Sequence, residues 1–173
     1  MSNEDNAVTG LVKIVFKLRA EDGYPPVGYE SVWGLKNRDG SCTISNTPMY
    51  IYGISKGDVI SVLEDAGELT PISVRMRGGH STIRVFAEQA DQKKAIIKFL
   101  NLLGAACTYS EGQSLFSVDI PPESDFIGID KYLSGIAVEG EVEYEDACLQ
   151  HSGLEETRYL ECSSLATIPQ QYN

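Results

Sequence analysis

No stretch of these 173 residues approaches the ~20 consecutive apolar residues that a membrane-spanning helix requires. The opening segment, Met1-Ser2-Asn3-Glu4-Asp5-Asn6, has neither the basic region nor the apolar run of a secretory leader. Both absences predict a cytoplasmic protein with no membrane partner. Basic residues are few, 14 Lys and Arg against 25 Asp and Glu, for a net charge of −11. Binding phosphates needs a basic face, so this balance argues against nucleic acid as a ligand. The four cysteines, Cys42, Cys107, Cys148 and Cys162, form no Cys-x-x-Cys pair, which points to neither a zinc site nor a redox motif. Without an export signal they read as free, buried thiols. Cys148 and His151 are half of a metal site at most, so no metal and no cofactor is predicted. Patterns of the G-x-S-x-G, H-E-x-x-H and P-loop kinds are also missing, so no catalytic class announces itself.

What is present is an α+β pattern in two unlike halves. Residues 1–10 are polar and read as a disordered N-terminus. Residues 11–79 read as short strands with turn signals between them, and residues 80–149 as strand, helix, strand, strand, helix, strand. Residues 150–173 form a tail of weak periodicity, loose from Ser163 onward.

In the first half Leu11–Arg19 is β-rich with interleaved lysines, and Glu21-Asp22-Gly23-Tyr24-Pro25-Pro26 breaks it, since proline cannot donate to a ladder. Period two puts Tyr29, Ser31, Trp33 and Leu35 on one face of the next strand and Glu30 and Val32 on the other. Arg38-Asp39-Gly40 signals a type I′ hairpin. Strands over Ser41–Ser45, Val59–Leu63 and Thr70–Met76 complete five. Five short strands so spaced predict a small antiparallel barrel-like lobe. No helix of useful length is expected before residue 90.

In the second half Ile83, Val85 and Ala87 share one face of a strand. A helix follows, with Asp91 expected as its cap and Ile96, Phe99, Leu100 and Leu103 as its apolar stripe. Lys93, Lys94 and Lys98 are expected on the outer side and Gly104 as the C-terminal cap. A hairpin crosses Glu111-Gly112-Gln113. A second helix starting near Ser124 buries Phe126, Ile129, Tyr132 and Leu133. A last strand runs from Gly140 to Ala147. The order βαββαβ predicts a ferredoxin-like lobe whose second sheet face meets solvent, the first half or a partner.

The charge is unevenly spread: residues 1–90 balance to −2 and residues 91–173 to −9. Glu139, Glu141, Glu143 and Glu145 recur at every second position, which on a strand makes one row of carboxylates about 7 Å apart. Their mutual repulsion is about 2 kcal/mol before salt screening. Such a row is either an edge strand protected by charge, a row neutralised by Arg75, Arg77 or Arg84, or a docking stripe for a basic protein partner.

Near the join of the halves, Gly78-Gly79 signals a sharp reversal, and His80, Ser81 and Arg84 follow it. They are the catalytic candidates. An imidazole moves protons and a guanidinium holds carboxylate or phosphate. His151 falls in the tail, which leaves His80 as the one imidazole of the folded body. Tyr24, Glu30, Trp33, Tyr52 and Asp58, with Tyr50, are the pocket candidates.

Several blocks resemble a bacterial family, domain of unknown function 4265: Asp22-Gly23-Tyr24-Pro25-Pro26, Glu30-Ser31-Val32-Trp33 and Tyr52–Val59. The resemblance continues at Gly79-His80-Ser81-Thr82-Ile83-Arg84, Val118–Pro122 and Tyr144–Leu149. It spans residues 11–149 and brings no activity with it. The functional expectation from the residues is an acidic protein-binding module, most concretely an immunity protein that blocks a basic toxin domain. The alternatives are a small-molecule-sensing regulatory domain and a hydrolase or transferase using His80 and Arg84.

Overall fold

The alternating patterns before residue 79 become β1 (Leu11–Lys17), β2 (Tyr29–Lys36), β3 (Cys42–Ile44), β4 (Val59–Asp65) and β5 (Glu68–Met76) in the computed structural model, which describes residues 10–170. The strands hydrogen-bond in chain order and close into a barrel. A meander of five antiparallel strands leaves the first and last pointing the same way, so β1 meets β5 in parallel, at Ile14 and Leu69. Ile14, Phe16, Val32, Ile44 and Ile60 fill the interior. Each such side chain withdrawn from water contributes about 1.5–3 kcal/mol. Gly34 also points inward, where a Cβ would lie 2.7 Å from Ile14 Cδ1.

Asp-Gly chemistry shapes two turns differently. Asp22 (φ 52°) and Gly23 (φ 80°) both take the left-handed region. The flanking Glu21 and Tyr24 exchange backbone hydrogen bonds of 2.9 and 3.0 Å, which is the type I′ geometry. At Arg38-Asp39-Gly40 only Gly40 has positive φ, so the type I′ turn expected there is not adopted. Instead Asp39 Oδ1 accepts from the Ser41 backbone N–H at 3.0 Å.

The second half folds as β6 (Ser81–Ala87), α1 (Ala90–Leu102), β7 (Ala106–Thr108), β8 (Leu115–Ile120), α2 (Phe126–Ile136) and β9 (Val142–Cys148). The sheet order is β7-β8-β6-β9, and every neighbouring pair is antiparallel. Ile83, Val85, Phe116 and Val118 pack with Ile96, Leu100, Ile129 and Leu133 to form its core. The start of α1 differs from expectation, that of α2 does not. Gln89, not Asp91, is the N-cap of α1 and makes no side-chain cap bond, while Asp91 sits in the first turn. α2 begins at Phe126 behind Asp125, whose carboxylate accepts from Gly128 N–H. Lys93 is not on the outer side: it is buried, and its amine donates to the carbonyls of Ser110 (2.8 Å) and Gln113 (2.6 Å).

β6 is buried along nearly its whole length, because both of its faces are covered. Helices lie on one side and the barrel half on the other. On the barrel side Thr82 Oγ1 and Ser55 Oγ are 2.7 Å apart, and Arg84 Nη2 donates to the Ile51 carbonyl at 2.5 Å. Gly78 sits where the β5–β6 connection crosses the loop before β4. A Cβ there would fall 2.5 Å from the Gly57 carbonyl carbon, so the position excludes every side chain.

The tail is not loose after Ser163. α3 (Glu156–Ser164) packs against β9. Beyond it Thr167 N–H donates to the Tyr52 carbonyl at 2.9 Å, Tyr52 N–H donates to Thr167 Oγ1 at 3.0 Å, and Gln170 bridges to Val74. A short weakly periodic segment gains order by docking, which its own sequence does not encode. The four cysteines are free. Among the described residues no helix is long and apolar enough to cross a membrane. The expectation for the N-terminal segment falls, except at Gly10, outside the described residues.

Candidate functional site

The catalytic candidates share a sequence neighbourhood but not a site. Successive residues of a strand face opposite ways, so Ser81 and Arg84 leave β6 on different sides. His80 Nδ1 lies 2.8 Å from Asp119 Oδ1 on β8. A carboxylate only accepts, so this nitrogen carries the proton. Ser81 is buried and engages His151, at 2.7 Å from Nδ1. His151 Nε2 is 2.9 Å from the Pro121 carbonyl, again an acceptor only. In the neutral ring Nδ1 therefore accepts the Ser81 hydroxyl proton. The same Oγ accepts the backbone N–H groups of Gln150 (2.8 Å) and His151 (3.1 Å). His151 is thus a second imidazole of the folded body, not a tail residue. A hydroxyl so engaged clasps the segment after β9 to the start of β6.

The glutamate row does not form as a row. β9 begins at Val142, so Glu139 and Glu141 precede the strand in a turn, and only Glu143 and Glu145 stand on it. Glu139, Glu141 and Glu143 are exposed. Glu145 is claimed from inside: its Oε1 is 3.2 Å from Arg84 Nη1, and the Tyr52 hydroxyl donates to both its oxygens at 2.9 and 3.0 Å. The neutralising arginine is Arg84, while Arg75 pairs with Asp39 and Arg77 with Asp58.

The pocket candidates also divide. Glu30 is a loop fastener, accepting the backbone N–H groups of Met49, Tyr50 and Ile51 at 2.5, 2.7 and 3.1 Å. Asp58 is fully buried and surrounded by donors: Ser55 N–H, Arg77 Nη1, Gly78 N–H and Gln150 Nε2, all within 3.0 Å. It fastens the barrel to the β5–β6 connection and to the segment after β9. Trp33 lies on the outside of the barrel, 48% exposed, opposite Lys13. It is not part of the barrel core.

Tyr24 and Tyr52 do line a common cavity, together with Tyr50. It is a cleft of about 720 Å³ that also touches Lys17, Arg19, Glu21, Asp22 and the 164–167 segment. Tyr24 and Tyr50 meet edge to face at 6.0 Å. The Tyr52 ring covers the Arg84 guanidinium at 4.2 Å, a cation–π contact. Burial raises the pKa of the Tyr52 hydroxyl, and the neighbouring Glu145 carboxylate adds to that rise. Burial raises Tyr24 as well, with the Arg84 charge acting the other way. Arg84 itself is wholly inaccessible, and its Nε–H finds no acceptor. An unpaired buried donor typically costs about 1–3 kcal/mol. The cleft wall is therefore aromatic, with a charged donor lacking one partner behind it.

Sequence reasoning missed Lys17, Arg19, Glu21, Asp22 and the 164–167 wall. The first four carry no signal beyond ordinary surface charge, and the last comes from a part of the tail expected to be loose. Among the described residues no cluster of three or more His, Cys, Asp or Glu side chains is arranged to hold a metal ion.

The fold and the cleft can be set beside known proteins. The crystal structure of a hypothetical protein from Neisseria gonorrhoeae is similar over 82% of this chain and 96% of its own, with a TM-score of 0.64 and 18% identity. At that identity the likeness concerns the fold alone. No curated protein matches the chain significantly. The model of one family, domain of unknown function 4265, matches residues 30–144. That match runs from β2 into the start of β9 and takes in more than half of the chain, so the protein belongs to the domain of unknown function 4265 family.

Proposed function

We propose that this protein is a ligand-binding domain that takes a small molecule into the tyrosine-lined cleft, in a sensing or regulatory role. One observation carries the reading: a fully buried Arg84 with an unpartnered Nε–H stands behind the Tyr52 wall of an open cleft. Buried polar groups without partners are rare and mark strain or function. Concave sites with aromatic walls and a few polar groups are the usual form of small-molecule sites. Thermal denaturation against a metabolite library tests it. A true ligand raises the melting temperature with concentration, and Tyr52→Ala abolishes the rise. A library without any such compound, at concentrations up to millimolar, removes the reading.

A second reading, the acidic protein-binding module of the immunity-protein type, keeps a narrower basis. Glu139, Glu141 and Glu143 are exposed at the turn into edge strand β9, where complementary charge speeds docking of a basic partner. Capture of a partner that survives E139K/E141K/E143K unchanged counts against it. We also read residues 80–149 as a ferredoxin-like lobe, following the barrel of residues 11–79. The order β7-β8-β6-β9 with antiparallel neighbours supports that reading. An experimental backbone with another strand order overturns it.

A further inference from the structure

Resting on the cleft reading, we infer that the ligand is zwitterionic, a free amino acid or an analogue carrying both an ammonium and a carboxylate. Lys17 and Arg19 bring two positive charges to the cleft, and Glu21 and Asp22 bring two negative ones. Among the described residues none of these four side chains enters an ion pair, with one another or with any other group. The cations come from the end of β1 and the residues after it. The anions come from the turn that Asp22 and Gly23 hold in left-handed geometry, fastened by the Glu21–Tyr24 backbone bonds. The anions and the cations therefore arise from separate backbone segments of the cleft. The stretch of the lining from Ser164 to Thr167 carries no charge.

The choice of ligand follows from sign. A simple anion would find its two cations but would also face two carboxylates, and a simple cation would meet the reverse. An uncharged ligand could hydrogen-bond to these groups but would gain no charge complementarity from either set. A molecule with one charge of each sign, a few ångströms apart, satisfies both. The Tyr24, Tyr50 and Tyr52 rings then accept its apolar or aromatic portion, since tyrosine offers an apolar face and a polar tip.

Calorimetry and thermal denaturation of the full chain test this with the standard L-amino acids and, for each binder, its N-acetyl and C-amide forms. At least one free amino acid should raise the melting temperature with concentration. Blocking either end should weaken it about tenfold, the loss of one charge-assisted contact. The variants K17Q/R19Q and E21Q/D22N should weaken it similarly while keeping the ligand-free melting temperature, because all four residues are exposed. Binding that ignores the blocked ends or these charge variants overturns the inference. If no amino acid binds but another compound does, with sensitivity to Tyr52→Ala, the ligand class is wrong and the cleft reading stands. If nothing binds, both fall.

Discussion

Two arginines in the second half of the fold, Arg84 buried and Arg158 partly buried, show how differently a cation can be treated. Arg158 on α3 lies between Asp130 and Asp146. Its Nε and Nη2 donate to Asp146 at 2.7 and 2.9 Å, and its Nη1 and Nη2 donate to Asp130 at 2.9 and 2.8 Å. The guanidinium also lies over the Phe126 ring at 5.4 Å. These bonds raise its own pKa and hold the Asp130 carboxyl below its ordinary value. Arg84 is more deeply buried and worse provided. It has one carbonyl, one carboxylate at 3.2 Å, the Tyr52 ring face and the neighbouring Tyr24 hydroxyl, and Nε is left over. The saturated arginine fastens a helix to the sheet. The unsaturated one stands beside a cavity that three tyrosines line.

The comparison is broken most strongly at Arg84. Replacing it with Ala leaves a cavity at the contact between barrel and sheet and leaves the Glu145 carboxylate without its cation. The expected loss is about 4 kcal/mol in chemical denaturation. Arg158→Ala should cost about 3 kcal/mol, because it strands two partly buried aspartates. A loss equal to or above that of Arg84→Ala would show that saturation, rather than depth, sets the energetic rank.

The acid limb of the stability curve sharpens the same contrast. The folded Asp130 pKa is depressed, so the unfolded chain binds its proton first as pH falls. The associated stabilisation is complete above the ordinary aspartate value, near 4, and disappears as pH drops through the folded value. Arg158→Ala should therefore flatten the decline below about pH 4, seen by thermal denaturation in steps of pH. Ser81→Ala is expected to cost about 1.5 kcal/mol by removing the hydroxyl that holds His151 and two backbone N–H groups. Trp33→Ala, on the open barrel face, should cost less than about 1 kcal/mol. Its loss should extinguish the tryptophan fluorescence, since the chain has a single Trp.

Much of the scaffold was legible because it repeats with a period. Ile14 and Phe16, or Ile96 and Leu100, recur as a strand or a helix demands, and burial follows recurrence. The five barrel strands and both main helices were read that way. Reading polar residues was harder, because their role depends on what stands across a gap. Trp33 and Tyr52 look alike in sequence as aromatic β-residues, yet one faces outward and the other covers a guanidinium. Glu139 and Glu145 share a spacing, but the strand begins between them and only the second finds an arginine.

Local sequence determined the elements of the two halves, their order and the chain reversal at Gly78-Gly79. Those features rest on short-range sterics and on hydrophobic periodicity, which neighbouring residues specify. Tertiary structure alone decided the cleft, the Ser81–His151 clasp, the docking of the 164–170 segment and the unmatched nitrogen of Arg84. Each joins residues tens of positions apart. A side chain's partners across such distances are fixed by how whole elements pack, and no local pattern records that.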